Sequence, residues 1–173
     1  NNLNFSNLVE LLETRARTSK VEISFLKMTG ETESYSYSKI YEDAKKVAQE
    51  IITLGIPESS VVALFLPTGY QFCIAFFGVQ IAGCIPVSIY PPLKLANISE
   101  WKNLATFELR DVNAALALSD SKIIKLLGEP ILNAPVKFGA KTVKSMIESA
   151  SPTTANLKLD RNVHQIAFLQ FSS

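Results

Sequence analysis

The sequence is poor in the side chains that metal sites and disulfide frameworks need. Its 173 residues include one histidine, His164, and two cysteines, Cys73 and Cys84. Two cysteines cannot build a disulfide framework, and no Cys/His spacing resembles a zinc site. Both cysteines lie in an apolar stretch, which favours buried, inert thiols. We therefore expect a reducing, cytoplasmic setting.

The sequence also lacks the short motifs of common catalytic sites. It contains neither a GxSxG nucleophile elbow nor a GxGxxG dinucleotide loop. Gly78 and Gly83 have the spacing of a phosphate loop, but Cys84 and Ile85 stand where that loop needs Lys and Ser/Thr. We interpret these glycines as packing and capping residues, and His164 as a structural histidine. No catalytic residue and no metal site is predicted.

Neither sign of charge is in excess. The 17 basic and 16 acidic residues are scattered along the chain, so the sequence has no electrostatic footprint for nucleic acid or an anionic membrane. The mean hydropathy of +0.18 is high for a free-standing soluble domain. We therefore expect residues 1–173 to form a single α/β subdomain, whose partners include the remainder of a longer parent chain.

One long stretch, Val61 to Pro92, contains no charged residue at all. Val61 to Leu66 is a β-branched and aromatic run closed by a proline, which predicts a buried strand. Tyr70 to Ala82 is apolar on every side, as in a helix buried on more than one face. Cys84 to Tyr90 then predicts a second strand. Strand, helix and strand in this order predict a βαβ unit with parallel strands.

A membrane span is the competing interpretation of this stretch. A spanning helix needs about 20 unbroken apolar residues. Pro67 and Gly69 interrupt the run near one end, and Gly83 and Pro86 near the other. They leave a helix of about 13–14 residues, which is roughly 20 Å long. The sequence therefore favours a buried helix over a membrane span.

The flanking segments predict further helices and strands. Together they predict an α/β fold with a mostly parallel sheet, flanking helices and an N-terminal hairpin. Before the apolar stretch, the predicted segments are a helix capped by Asn7 and ending near Thr18, a hairpin of Val21–Met28 with Ser34–Tyr37, and an amphipathic helix that stops at Gly55. The apolar face of that helix contains Ile40, Ala44, Val47, Ala48 and Ile51. After the stretch, the predicted segments are a helix capped by Ser99, a strand Ala114–Leu118, a helix start at Ser119-Asp120, a helix Thr142–Ala150 and a strand Gln165–Phe171.

The last predicted strand runs directly into two hydroxyl residues, Ser172 and Ser173. A buried strand followed by hydroxyl residues is typical of the approach to a phosphate-binding loop, where hydroxyls and glycine amides cradle a polyphosphate. The glycines and the lysine of such a loop are not in this chain. Taken alone, the pattern indicates a phosphate site only weakly.

Several of these segments, in this order, resemble the N-terminal part of the large domain of adenylate-forming (ANL superfamily) enzymes. ITLGI followed by SSVVALFLPTGYQFCIAFFGVQIAGCIPVSIYPP is similar to the segment that opens that domain. Gly83, Pro86 and Val87 match its A-G-x-x-P-V pattern, and QIAFLQFSS is similar to the lead-in to its phosphate loop. The ending Tyr90-Pro91-Pro92 is most similar to the fatty acyl-AMP ligase branch.

The resemblance implies the activity of a parent enzyme. That enzyme would convert a fatty acid and ATP, with Mg²⁺, into an acyl-adenylate, and would pass the acyl group to an acyl carrier protein or to CoA. Ser172 and Ser173 would be the first hydroxyls of the ATP-phosphate loop, which the family completes as G-[S/T]-T-G-x-P-K-G. Because the chain stops before that loop is complete, we expect the 173-residue chain alone to bind no cofactor and to be inactive.

Three alternatives stay open at this point. The first is a fragment of a fatty acyl-CoA synthetase, the sister branch of the same superfamily. The second is a non-catalytic interaction domain that uses its apolar surface to dock a partner. The third is a membrane-anchored α-helical protein, which the interrupted apolar stretch disfavours.

Overall fold

A computed structural model describes residues 6–27, 29–92, 97–150 and 166–171 of the chain. It contains a two-stranded antiparallel hairpin and a five-stranded parallel sheet with helices on both faces. The predicted α/β class is therefore confirmed. The helices are α1 (Leu8–Thr18), α2 (Tyr37–Thr53), α3 (Tyr70–Ile81), α4 (Ile98–Asp111), α5 (Gly128–Asn133) and α6 (Val143–Ser149), with a short 3-10 helix at Ile123–Leu126; the strands are β1 (Glu22–Leu26), β2 (Thr32–Ser36), β3 (Val61–Phe65), β4 (Ile85–Ser88), β5 (Leu116–Ser119), β6 (Ala140–Thr142) and β7 (Leu169–Gln170).

The parallel sheet is built around β3. Its strand order is β6-β5-β3-β4-β7, so β3 has a neighbour on each side. Val62 lies opposite Pro86 of β4 and Leu116 of β5. The predicted βαβ unit of β3, α3 and β4 is present, with its two strands parallel.

Alternate residues of β3 enter two different cores. Val62 and Leu64 join the cluster that contains residues of α1, α2, α3 and α6. Ala63 and Phe65 join the cluster that contains residues of α4 and α5. All four side chains are fully buried. A strand covered on both faces reads as a continuous apolar run, which explains why this part of the sequence carries no charge.

Three helices end in the same way before a sheet strand begins. Gly55, Gly83 and Asn113 follow α2, α3 and α4 with φ values of 75°, 75° and 50°. After α3, the amide of Gly83 donates to the carbonyl of Gln80, and that of Cys84 to the carbonyl of Val79. This is the Schellman motif, which favours glycine or asparagine at the left-handed position. The capping role predicted for Gly83 is confirmed.

Gly78 allows α2 and α3 to approach closely. A Cβ atom on Gly78 would lie 2.7 Å from the Cβ of Val47 and 2.8 Å from the carbonyl oxygen of Ala44. Both distances are too short for a real Cβ contact, so only glycine fits here without movement of a helix. The packing role predicted for this glycine is confirmed.

The boundaries of two helices differ from the prediction. Tyr37 was predicted to end the hairpin, but it begins α2, because the Ser36 hydroxyl caps that helix by accepting from the Lys39 amide at 3.1 Å. Ser99 was predicted to cap α4, but this helix starts at Ile98 and Ser99 lies inside it. Both differences are shifts of one or two residues at a helix start, where boundaries are the hardest to predict.

Two strands also differ from the prediction. The three-residue β6 was not predicted, because Ala140–Thr142 has no apolar run. The predicted strand Gln165–Phe171 is shorter in the structure: only Leu169–Gln170 forms β7, and Gln165 lies outside the described residues. Ile166 and Phe168 are exposed rather than buried.

The apolar stretch contains a helix too short to cross a bilayer. Its helix, α3, has 12 residues, and no helix within the ranges given above is long and apolar enough to cross a bilayer. The amphipathic α2 instead packs against α3, and α1 packs against α2.

Replacing Gly78 with alanine tests the close packing of α2 and α3. Alanine is the better helix former by about 1 kcal/mol, but its methyl group would force the two helices apart. We expect a net fall of about 1–3 kcal/mol in the free energy of unfolding, measured by urea denaturation. The matched control is Gly128→Ala, since a Cβ there meets no atom within 4 Å. Equal stability of the two variants would contradict the packing described here.

Candidate functional site

The carboxyl ends of the five parallel strands meet at one edge of the sheet. From β3 the chain passes to α3 on one face, whereas from β4 it passes to α4 on the opposite face. Open parallel sheets bind ligands outside the carboxyl ends of their strands, where neighbouring connections diverge in this way. We therefore define the candidate site as the carboxyl edge of β3, β4 and β7.

The turn after β3 forms one side of the candidate site. Pro67 and Thr68 are exposed, and Gly69 precedes α3 with no atom within 4 Å of where its Cβ would be. No side chain caps the start of α3. The turn therefore leaves open space beside the first turn of a helix, where the helix dipole favours negative charge.

The segment after β4 forms a second side, and an indole holds it in place. The Trp101 ring of α4 packs edge-on against Phe65, with the ring centres 5.9 Å apart. Its indole N–H donates to the Tyr90 carbonyl oxygen at 2.8 Å. The Tyr90 side chain itself is exposed. This contact fixes where the chain leaves β4, next to the end of β3.

The polar residues after β5 have a structural role. Ser119 is buried and donates its hydroxyl to the Asp120 carbonyl at 3.3 Å. The Asp120 carboxylate accepts hydrogen bonds from the amides of Lys122 and Ile123 at 2.8 and 2.7 Å. Asp120 thus caps the 3-10 helix, and the helix start predicted at Ser119-Asp120 is confirmed.

The two predicted site residues, Ser172 and Ser173, lie outside the described part of the chain. The last described residue, Phe171, directly precedes them and packs against the α4/α5 core. Just before it, β7 pairs in parallel with β4, with Leu169 opposite Val87. The chain therefore reaches Phe171 at the carboxyl edge of the sheet, but the phosphate-loop role of the two serines stays a prediction.

Sequence reasoning missed a buried carboxylate behind the candidate site. Asp43 of α2 is buried, and it accepts hydrogen bonds from Lys39 at 3.0 Å, Lys46 at 3.3 Å and the Tyr70 hydroxyl at 2.7 Å. Tyr70 is the first residue of α3 and stacks on Tyr35 of β2, with the ring centres 3.7 Å apart. These contacts tie the start of α3 to α2 and to the hairpin.

The surroundings of Asp43 shift its pKa. Burial alone would raise the pKa of the Asp43 carboxyl, but the hydrogen bonds from Lys39, Tyr70 and Lys46 outweigh it and hold that pKa below its ordinary value. Burial and the bond to Asp43 raise the pKa of the Tyr70 hydroxyl. One sequence signal was available: Asp43 lies three residues after Ile40, on the apolar face of α2.

Neither cysteine is activated. Burial raises the pKa of the Cys73 thiol to about 11 and that of the Cys84 thiol to about 11. Both thiols are free and, with these raised pKa values, protonated at neutral pH. Cys84 is buried as expected, whereas Cys73 is only partly buried. Within the described residues, no group of three or more His, Cys, Asp and Glu side chains is arranged to hold a metal ion.

Comparison with known proteins shows which family this chain matches. Residues 12–173 match the model of the family described as "AMP-binding enzyme". The chain is 24% identical over 172 residues to Disco-interacting protein 2 homolog B-A of Danio rerio, an alignment that covers 95% of this chain and 11% of that protein.

Solved structures share the fold. A structure from a study of fatty acyl-adenylate ligases from E. coli and L. pneumophila superposes with a TM-score of 0.79 at 19% identity, covering 95% of this chain and 29% of that chain. A Mycobacterium tuberculosis fatty acyl CoA synthetase superposes with a TM-score of 0.75 at 18% identity, covering 97% and 33%. The chain thus spans about a third or less of the length of these proteins.

The ionisation of Asp43 predicts a pH dependence of stability. Because its folded-state pKa lies below the unfolded value of about 3.9, its contribution is present above that pH and is lost as the pH falls through the folded-state pKa. We expect Asp43→Asn to lower the free energy of unfolding by about 1.5–3 kcal/mol at pH 7. The difference from the wild type should shrink towards pH 3.

Urea unfolding at pH 7 and pH 3 measures this effect. The control is Glu42→Gln, which neutralises an exposed carboxylate on the same helix and should change stability by less than about 0.5 kcal/mol. A difference between Asp43→Asn and the wild type that stays constant from pH 7 to pH 3 would contradict the lowered pKa.

Proposed function

Because this chain belongs to the AMP-binding enzyme family, the adenylate-forming or ANL superfamily, we propose that it is the N-terminal part of a ligase that activates a fatty acid with ATP. In this reaction a carboxylate oxygen of the fatty acid attacks the α-phosphorus of ATP. A new C–O–P linkage forms, the bond to the β-phosphate oxygen breaks, and pyrophosphate leaves. The products are acyl-adenylate and pyrophosphate.

One observation carries the proposal: β7 lies in parallel beside β4 and delivers the chain to the carboxyl edge of the sheet directly before Ser172 and Ser173. The first hydroxyls of a phosphate loop would be needed at this place, beyond the end of a strand and at the same edge of the sheet as the open start of α3. In the proposed enzyme, these two serines help to bind the phosphates of ATP.

The described residues offer Mg²⁺ no ligand set of their own. Carboxylate and other oxygen ligands are what Mg²⁺ prefers, and no suitable cluster of acidic residues occurs in the parts of the chain that the structure covers. We assign this segment a role in binding and positioning ATP. ATP and Mg²⁺ are proposed as requirements of the parent enzyme.

We assign the acyl acceptor as an acyl carrier protein. The fold similarity to fatty acyl-adenylate ligases supports this assignment, together with the Tyr90-Pro91-Pro92 ending of the segment after β4. The alternative acceptor is CoA, since a fatty acyl CoA synthetase shares the fold almost as closely. The two free thiols suit a reducing, cytoplasmic location, which is part of the proposal.

The first test compares the longer parent protein with the 173-residue chain. Each is incubated with ATP, Mg²⁺ and fatty acids of graded length, with and without CoA, and acyl-AMP is separated from acyl-CoA. We expect acyl-AMP from the parent that persists in the presence of CoA, and no product from the 173-residue chain, which lacks the glycines and the lysine of the family's phosphate loop.

Each other outcome has a distinct meaning. Conversion to acyl-CoA would replace the carrier protein by CoA as the acceptor. Absence of both products from the parent at every chain length would contradict the proposed function and favour an interaction domain. Product from the 173-residue chain would contradict its predicted inactivity.

The second test addresses Ser172 and Ser173 in the parent protein. Replacing both with alanine removes two hydroxyl donors to the phosphates, and each lost hydrogen bond to a charged group is worth about 1.5–3 kcal/mol. We expect kcat/KM for ATP to fall by at least about tenfold. The control is Ser149→Ala, on the exposed side of α6. Equal kcat/KM values for the two variants would exclude the serines from the phosphate site.

A further inference from the structure

The strand β7 is held to the sheet by few main-chain contacts. It consists of two residues, Leu169 and Gln170, which pair with Val87 and Ser88 of β4. Most strands have three to ten paired residues, and β7 is the outermost strand on its side of the sheet. So short a ladder at an edge fixes the position of a strand weakly, and other contacts must hold it.

Helix α3 supplies two such contacts to the segment that enters β7. The side-chain amide of Gln80 donates a hydrogen bond to the Ala167 carbonyl oxygen at 2.7 Å. The Phe76 ring lies 5.9 Å from the Phe168 ring, tilted by 56°. Phe76 and Gln80 are one helical turn apart and so share a face of α3. The Phe168 ring remains about half exposed, so the ring contact buries it only in part. The hydrogen bond is the more directional of the two contacts.

The other half of the Gln80 amide has no partner among the described residues. Its Oε1 atom is buried and accepts no hydrogen bond in the part of the chain that the structure describes. A buried acceptor without a partner destabilises a fold. An apolar side chain of the same length would avoid this loss, so the hydrogen bond to Ala167 is the contribution that distinguishes glutamine at this position.

We propose that Gln80 is a positioning residue for the ATP-phosphate loop of the parent enzyme. By holding the Ala167 carbonyl, it fixes where β7 begins, and therefore where the chain leaves the sheet after Phe171. Ser172 follows Ala167 by only five residues, so a shift of the anchor would also displace the chain that leads to the serines. This inference rests on the proposed function and assigns Gln80 no direct contact with ATP.

The decisive variant is Gln80→Met in the parent protein. Methionine has a similar length but cannot donate a hydrogen bond, and it also removes the buried Oε1. We therefore expect the thermal unfolding midpoint to stay within error of the wild type, or to rise. The KM for ATP should rise about two- to tenfold, the change that corresponds to the loss of one neutral hydrogen bond. The KM for the fatty acid should not change.

Two further variants separate positioning from general packing. Gln80→Glu keeps the shape but places an acceptor against the Ala167 carbonyl, so its KM for ATP should exceed that of Gln80→Met. Gln49→Met is the matched control, since the Gln49 side-chain amide bonds to Thr53 of its own helix, at 3.4 Å, and to no residue of β7 among those the structure describes. Its kinetic constants should equal those of the wild type.

A measurement that does not need activity completes the test. Hydrogen exchange of a peptide covering residues 166–173 should be faster in Gln80→Met than in the wild type or in Gln49→Met. Unchanged exchange would overturn the proposal whether or not the parent is active. If the wild type forms no acyl-adenylate, the proposed function fails; if it does and Gln80→Met keeps the wild-type KM for ATP, only the positioning role fails.

Discussion

Burial of β3 on both faces is the constraint on which the rest of the structure depends. Four consecutive side chains, Val62 to Phe65, alternate between two cores and leave no surface exposed. A parallel sheet needs helices on both faces to achieve this, so α2 and α3 cover one face of β3 and α4 covers the other. Burial of apolar surface, at roughly 25 cal/mol per Å², is the dominant favourable term in folding, and β3 contributes four fully buried side chains to it.

The same constraint places the candidate site. Because the helices must cover both faces, the chain leaves β3 and β4 towards opposite sides, and open parallel sheets bind ligands beyond the carboxyl ends of such strands. Trp101 then fixes the exit from β4, and the Asp43–Tyr70 bond fixes the start of α3. The site is thus framed by groups that serve stability, while β7, on which the proposed phosphate loop depends, is the least anchored strand.

The sequence predicted the elements that burial controls and missed those that single contacts control. β3, α3 and β4 were predicted because an uncharged run with prolines and glycines at its ends leaves few alternatives. β6 was missed because it lies at the sheet edge, where its three residues need no apolar pattern.

The same distinction explains the limits of the site prediction. Asp43 was missed because its burial comes from the packing of α2 against α3, whose Tyr70, 27 residues away in sequence, donates a hydrogen bond to it. The length of β7 was overestimated, since apolar residues such as Ile166 and Phe168 do not by themselves indicate what will cover them. Ser172 and Ser173 were singled out only through pattern and resemblance.

The most direct test of where the nucleotide binds is a crystal structure of the parent protein with bound acyl-adenylate or ATP. We predict phosphate oxygens within hydrogen-bonding distance of Ser172 or Ser173, beyond the carboxyl end of β7 and beside the turn at Thr68 and Gly69. A nucleotide bound at the amino edge of the sheet, or on a helical face away from β7, would contradict the central claim that this edge is the adenylate-forming site.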